Sequence, residues 1–258
     1  MKPKIVSLVG LTASGKSALG ILLAQKFNGE IVSCDSRQVY RGLDIGTAKV
    51  TTEQRALVPH HLIDIVDPPK TPAPDGAPPL QKGEFTVYEY QQRAYAAIDD
   101  ILARGKLPIL VGGTGLYSRS VVEGYNFTAG GVGEVTSPTK YNVLQICLMP
   151  AKEFIRPLVE QRIDARLEEG MIEETRQLLA RGVSRDWLMG LGLEYYWNVL
   201  YIEEDVSLDE YKKNLATKTM QYAKRQRTWF RREQNTIYLT TPATFTQDCI
   251  KLVKDFIR

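Results

Sequence analysis

Apolar and polar positions in the first half of the chain alternate between two periods. Short, mostly apolar runs at residues 5–9, 30–34 and 107–111 predict buried strands, and 62–66 is a candidate short strand. Residues 19–27 carry a helical pattern after the first run. Val87, Tyr90, Ala94, Ala97, Ile98, Ile101 and Leu102 recur at helical spacing before the 107–111 strand. Thr86 and Glu89 have the spacing of a capping box for that helix, and Gly105 is placed to end it. Strands alternating with helices predict an α/β fold with a mostly parallel sheet covered on both faces. Further on, 141–149 reads as a strand and the chain to about residue 232 as helical, interrupted at Gly170, Gly182 and Gly190 to Gly192. Residues 236–240 suggest a last strand and 245–257 a closing helix. Two segments break the pattern. Residues 67–84 hold six prolines and read as a surface loop, and 127–140 are rich in Gly, Ser and Thr and read as a flexible connection.

Composition narrows the class without naming a function. The 258 residues are 43% hydrophobic and 24% charged, which fits a globular protein with a sizeable core. No apolar run reaches the ~18 residues of a membrane span, and the first residues lack the apolar stretch of a signal peptide. Three widely spaced cysteines, Cys34, Cys147 and Cys249, argue for a reducing compartment, so a cytoplasmic protein, expected to be monomeric. A net charge of +3 is compatible with an anionic partner, and where that charge lies matters more than its size.

The sharpest local signal is Gly10-Leu11-Thr12-Ala13-Ser14-Gly15-Lys16-Ser17, a G-x-x-x-x-G-K-S loop between a predicted strand and a predicted helix. Its glycines let backbone N–H groups close around phosphate oxygens. Lys16 adds a point charge, the Ser17 hydroxyl can hold Mg²⁺, and the helix start contributes its positive dipole end. This predicts a site for a diphosphate or triphosphate, and leaves kinase, NTPase and transferase open.

Two further loops should reach the same sheet edge. Ser33-Cys34-Asp35-Ser36-Arg37-Gln38 follows the second strand, which aims Asp35 at the crevice of Lys16. A carboxylate there can ligate Mg²⁺ or act as a general base, or simply close an Asx turn. Gly112-Gly113-Thr114-Gly115 follows the 107–111 strand; its small residues permit close approach to a ligand, or serve only a tight turn. Near the C-terminus, residues 224–232 carry five positive charges and two aromatics. Ser207 and Glu210 would cap their helix. Leu215, Thr219, Tyr222, Gln226, Trp229 and Phe230 form its packed stripe, with Lys218, Arg225 and Arg232 facing outward. Such a basic stripe fits RNA phosphates or a solvated face. The adjacent His60 and His61 would point to opposite faces of a strand, so they read as structural.

Taken together, the loop at 10–17, Asp-Ser-Arg-Gln-Val-Tyr-Arg-Gly-Leu-Asp-Ile-Gly-Thr-Ala-Lys (35–49), Pro-His-His-Leu-Ile-Asp (59–64), Gly-Gly-Thr-Gly-Leu-Tyr (112–117) and Ala-Lys-Arg-Gln-Arg-Thr-Trp-Phe-Arg (223–231) resemble the tRNA dimethylallyltransferase family. The resemblance covers nearly the whole chain. It implies one P-loop NTPase-like three-layer α/β core over 1–258 with a helical C-terminal part. It also implies transfer of a dimethylallyl group from dimethylallyl diphosphate to N6 of an adenosine beside the tRNA anticodon. By the same resemblance Asp35 is the general base, Thr114 lines the reaction channel, and Lys16 with Gly10 to Ser17 holds the diphosphate. Ser36, Arg37 and Gln38, together with Lys224, Arg225, Gln226, Arg227, Thr228, Trp229, Phe230 and Arg231, would contact the anticodon stem-loop. A free adenine nucleotide as acceptor and a P-loop small-molecule kinase binding ATP are the alternatives.

The chain departs from that family in four places. The helical insertion that grips the anticodon stem is replaced by a short linker at 128–140. Leu193 and Glu194 follow Gly192 where relatives carry Gly-Tyr-Arg or Gly-Tyr-Lys, and Met220 stands where many have arginine. The proline-rich 67–84 loop is longer than usual.

Overall fold

A computed structural model describes residues 2–71, 85–127 and 139–258. Six parallel strands form one sheet among the described residues: β1 (Lys4–Gly10), β2 (Gly29–Cys34), β3 (His60–His61), β4 (Leu107–Gly112), β5 (Asn142–Leu148) and β6 (Thr236–Leu239). Their order is β3-β2-β4-β1-β5-β6. Side chains alternate along each strand, so the sheet has two apolar faces. Val6, Leu8, Ile109, Val111 and Ile146 pack under α1 (Lys16–Lys26), with Phe245, Cys249 and Val253 of the last helix, Phe245–Ile257, on the same side. Ile5, Val32, Cys34 and Leu110 pack on the other side under α3 (Val87–Ala103) and α4 (Gly115–Val122).

The helices between β5 and β6 stand over the carboxyl ends of the strands. They are α5 (Lys152–Glu168), α6 (Met171–Ala180), α7 (Arg185–Leu191), α8 (Leu193–Ile202) and α9 (Leu208–Phe230). Val9, Leu11, Cys147 and Met149 pack against Ile155, Val159, Tyr211, Leu215 and Phe230, which seats α5 and α9 beside the end of β1. The predicted caps of α3 and α9 form, with Glu89 N–H on Thr86 Oγ1 at 3.1 Å and Glu210 N–H on Ser207 Oγ at 3.3 Å. Among the described residues, no helix is long and apolar enough to cross a membrane. The three cysteines are buried and unpaired.

The candidate strand at 62–66 does not form. Leu62 and Asp64 have φ of 63° and 57°, outside extended backbone, and the pairing falls on His60 and His61 instead. Two helices the apolar periodicity does not mark also form: Thr52–Leu57, which we call α2, and α4. The histidines lie away from the carboxyl ends: His61 Nε2 meets Glu30 Oε2 at 2.7 Å and His60 Nδ1 meets the Val58 carbonyl at 2.8 Å. Glu30 is buried, and the Arg104 guanidinium, then Lys106 and His61, hold its carboxylate well below the ordinary range. Most of the proline-rich loop and of the 128–140 linker lies outside the described residues. The loop's first residues are tied to the α6–α7 turn through Thr71 N–H on the Gly182 carbonyl at 2.9 Å.

Candidate active site

The carboxyl ends of β1, β2 and β4 open into a cleft of about 1540 Å³, roofed by α5, α8 and α9. Ligands of open α/β sheets bind at this edge. β1 ends at Gly10, with φ 144°, where a Cβ would fall 2.3 Å from the Leu148 carbonyl oxygen, so only glycine lets the chain turn off the sheet here. The loop closes through Ser14 N–H on the Leu11 carbonyl, and Gly15, at φ 85°, leads into α1. The first amides of α1, those of Lys16 and Ser17, have no carbonyl behind them in the helix and make a ready anion site. Lys16 Nζ rests 2.5 Å from the Leu11 carbonyl, inside the loop. Burial, then the nearby Arg162 guanidinium, brings its pKa down to about 8.

Asp35 and Thr114 reach the same cleft. Asp35 Oδ1 accepts the amides of Arg37 at 2.8 Å and Gln38 at 3.4 Å, so the Asx turn and a cleft-lining carboxylate coexist. Thr114 Oγ1 accepts the Ser36 amide at 3.0 Å and lies 3.3 Å from Ser36 Oγ. Gly112 permits this proximity, since its Cβ would sit 2.0 Å from the Cys34 carbonyl oxygen. The Asp-Ile-Gly-Thr-Ala-Lys run serves as a structural knot. Glu174 accepts the amides of Asp44, Ile45 and Gly46, and the buried Lys49 ammonium bridges Asp44 and Asp64, each at 2.6 Å.

The basic run on α9 divides by direction. Lys218, Tyr222, Arg225, Gln226 and Trp229 line the cleft. Lys224, Thr228 and Arg231 are exposed elsewhere on the helix, and Phe230 is fully buried. Three residues expected to face RNA are engaged internally instead. Arg37 Nη2 donates to the Leu191 carbonyl at 2.8 Å, Arg227 Nη2 to the Pro150 carbonyl at 2.5 Å, and Gln226 is buried between two loops. Trp229, expected in the packed stripe, is 37% exposed on the cleft wall, its indole pressed over Gly115, where a Cβ would fall 2.2 Å away. The Trp229 indole N–H donates to Glu233 Oε1 at 3.0 Å.

Arg162 was missed from sequence. It projects from α5 into the cleft, and its Nη2 donates to Thr12 Oγ1 at 2.7 Å. Burial, then repulsion from Arg166, brings the Arg162 guanidinium down to about 10. The Arg-x-x-x-Arg spacing of 162 and 166, one turn apart on a helix, was the available signal. Arg166 is paired with Glu194 at 2.7 Å, both side chains largely buried, so Glu194 occupies one of the cleft's cations. Two buried polar atoms of cleft-lining residues, Arg162 Nε and Thr219 Oγ1, lack a protein partner, which suits a polar ligand in the cleft.

A sequence model described as IPP transferase matches residues 38–137 and 129–233. A tRNA dimethylallyltransferase of Exiguobacterium is 37% identical over 295 aligned positions, covering 92% of this chain and 90% of the relative. The chain belongs to the IPP transferase family. Its P-loop NTPase-like fold is shared with solved family members. The tRNA isopentenylpyrophosphate transferase of Bacillus halodurans superposes with a TM-score of 0.83 at 32% identity, over 99% of this chain and 96% of that one. A tRNA isopentenylpyrophosphate transferase of Staphylococcus epidermidis gives 0.82 at 29%, over 98% and 99%. The 295 aligned positions exceed the 258 residues of this chain, so the Exiguobacterium relative carries several dozen residues without a counterpart here. The two matches of the family model meet at 129–137.

Proposed function

We propose that this chain transfers the dimethylallyl group of dimethylallyl diphosphate to N6 of an adenosine in tRNA, next to the anticodon. The observation that carries the reading is the convergence, in one cleft, of a phosphate loop, a carboxylate one strand away and the cation-bearing face of α9. The donor's diphosphate sits on the amides after Gly15, between Lys16 and Arg162. As the allylic C–O bond breaks, its electron pair passes to the diphosphate, and these groups stabilise the growing negative charge. The N6 amine attacks the freed carbon, forms the new C–N bond and loses a proton to Asp35. Ser36 and Thr114 hold the Asp35 loop in place. The products are the prenylated adenosine and inorganic diphosphate.

The donor set also fits Mg²⁺: the exposed Ser17 hydroxyl and the Asp35 carboxylate line the same cleft, and hard oxygen ligands shared with a substrate phosphate are what this ion takes. Bound there, it would supply further neutralisation of the leaving diphosphate.

A base inside a stacked loop cannot reach Asp35, so the target adenine is expected to leave its stack. The RNA grip is reduced because the helical insertion of the relatives is missing between residues 127 and 140. Those several dozen absent residues are also the observation favouring the second reading, a free adenine nucleotide as acceptor. The protein acts in the cytoplasm, where buried free thiols stay reduced. Incubation with dimethylallyl diphosphate and either an anticodon stem-loop or AMP, followed by mass spectrometry of each acceptor, decides between the two. Modification of the stem-loop is expected; modification of AMP alone would give the second reading.

A further inference from the structure

Gln226 stands in the middle of the most basic stretch of the chain, yet it is buried at the wall of the cleft. Its Oε1 accepts the backbone N–H of Thr12, in the phosphate loop, at 2.8 Å, and its Nε2 donates to the backbone carbonyl of Gly113 at 2.9 Å. One planar head thus satisfies a donor on one loop and an acceptor on another. Only a carboxamide of this length does both. A carboxylate lacks the donor, a methionine has no donor and only a weak acceptor, and asparagine is one methylene short. Gly113 is part of the fit, because a Cβ there would fall 2.6 Å from Gln226 Nε2.

We propose that Gln226 is a positioning residue that locks the phosphate loop to the loop carrying Thr114, so that donor and acceptor are held in register; this rests on the transfer reading above. The bond from Thr12 turns that amide away from the ligand and fixes the peptide planes that follow it, up to the amides opening α1. The bond to Gly113 fixes the start of the turn whose next residue, Thr114, carries Ser36 and therefore the Asp35 loop. Arg162 holds the Thr12 side chain from the opposite direction, so Thr12 is gripped at both its amide and its hydroxyl. A displacement of about 1 Å in such a frame is enough to cost on the order of 10²-fold in rate.

Two variants test the clamp. Gln226→Met removes both bonds. Gly113→Ala leaves the glutamine in place and displaces its amide from the Gly113 carbonyl. Calorimetry with inorganic diphosphate and single-turnover transfer to a stem-loop would be measured at a temperature where thermal scans show each variant folded. Gln226→Met is expected to weaken diphosphate binding about tenfold and slow transfer by about 10²-fold. Gly113→Ala is expected to keep diphosphate affinity and slow transfer, a split that a general loss of stability would not produce. Diphosphate affinity and transfer rate equal to the parent's in both folded variants would overturn the proposal. Should Gln226→Met fail to fold, Gly113→Ala decides it by the same criterion. A parent that transfers nothing would contradict the transfer reading, and diphosphate affinity in Gln226→Met would still test the hold on the phosphate loop.

Discussion

Thr114 Oγ1 accepts the Ser36 amide at 3.0 Å, joining the turn after β4 to the turn after β2. Asp35 lies at the start of that second turn, and its Oδ1 already accepts two backbone amides. The carboxylate is therefore oriented before any substrate arrives.

Asp35→Asn should separate the two tasks of this residue. The asparagine Oδ1 can still accept the Arg37 and Gln38 amides, so fold and donor binding should persist. The side chain no longer takes a proton, and the single-turnover rate should drop by roughly 10²-fold or more. A variant with the parent's rate would remove Asp35 from proton transfer.

Lys16 gives a pH dependence. With its pKa lowered to about 8 by burial and by Arg162, the ammonium is charged below that pH and neutral above it. Affinity for dimethylallyl diphosphate should weaken as pH rises through about 8, a limb distinct from the acid-side fall as the donor's terminal phosphate takes up a proton. Lys16→Met should bind the donor more weakly at every pH and lose that alkaline limb. Calorimetric titrations over pH 6 to pH 9.5 or so, spanning the shifted value, would show both.

Helix α9 offers a contrast between two arginines. Arg225 is exposed on the cleft wall, whereas Arg227 is spent on the Pro150 carbonyl. In a salt titration of stem-loop binding, the parent should show a shallow slope of roughly three to four phosphate contacts. Arg225→Ala should reduce the slope's magnitude by about 0.7–0.9. Arg227→Ala should leave the slope intact and lower the melting temperature. The reverse assignment would show that RNA approaches another face.

Glu233 should make stability depend on pH in an unusual direction. Burial raises its carboxyl from 4.5 to about 7, against the pull of the Trp229 and Gln145 donors. The folded state therefore holds a proton that the unfolded chain has released. This contribution is present below about pH 4.5 and lost as pH rises through 7. Gln145 Oε1 is buried without a partner, so a carboxamide at 233 would find an acceptor once Gln145 turned its own amide. Glu233→Gln should melt above the parent at pH 8 and show a flatter melting profile from pH 5 to pH 8, the window around the shifted value. A lower melting temperature at pH 8 would contradict this.

Local signals were legible in the sequence, and tertiary ones were not. The capping boxes of α3 and α9 lie within four residues each, and apolar runs marked five of the six described strands. The short β3 was placed too late because 62–66 has strand-like composition, while the left-handed conformation of Leu62 and Asp64 is set by the turn they make. α2 carries a complete capping box at Thr51 and Gln54, yet it buries no residue and so leaves no apolar period to find. At the site, the loop of Lys16 and the positions of Asp35 and Thr114 followed from strand ends alone. Arg162 did not, because its target, Thr12, lies 150 residues away. Likewise Arg227 stands within a basic run and only the packing of α9 turns it in, whereas helical spacing already placed Gln226 in the packed stripe.

Prenyl transfer to RNA yields two products, and both can be followed in one reaction. The purified protein, dimethylallyl diphosphate, Mg²⁺ and an anticodon stem-loop bearing the target adenosine would be mixed without ATP. Intact-mass measurement of the RNA and assay of released inorganic diphosphate would run on the same samples. One dimethylallyl unit should appear on the RNA for each diphosphate released, with no ATP required. Unmodified RNA under these conditions, with phosphoryl transfer appearing only when ATP is added, would contradict prenyl transfer.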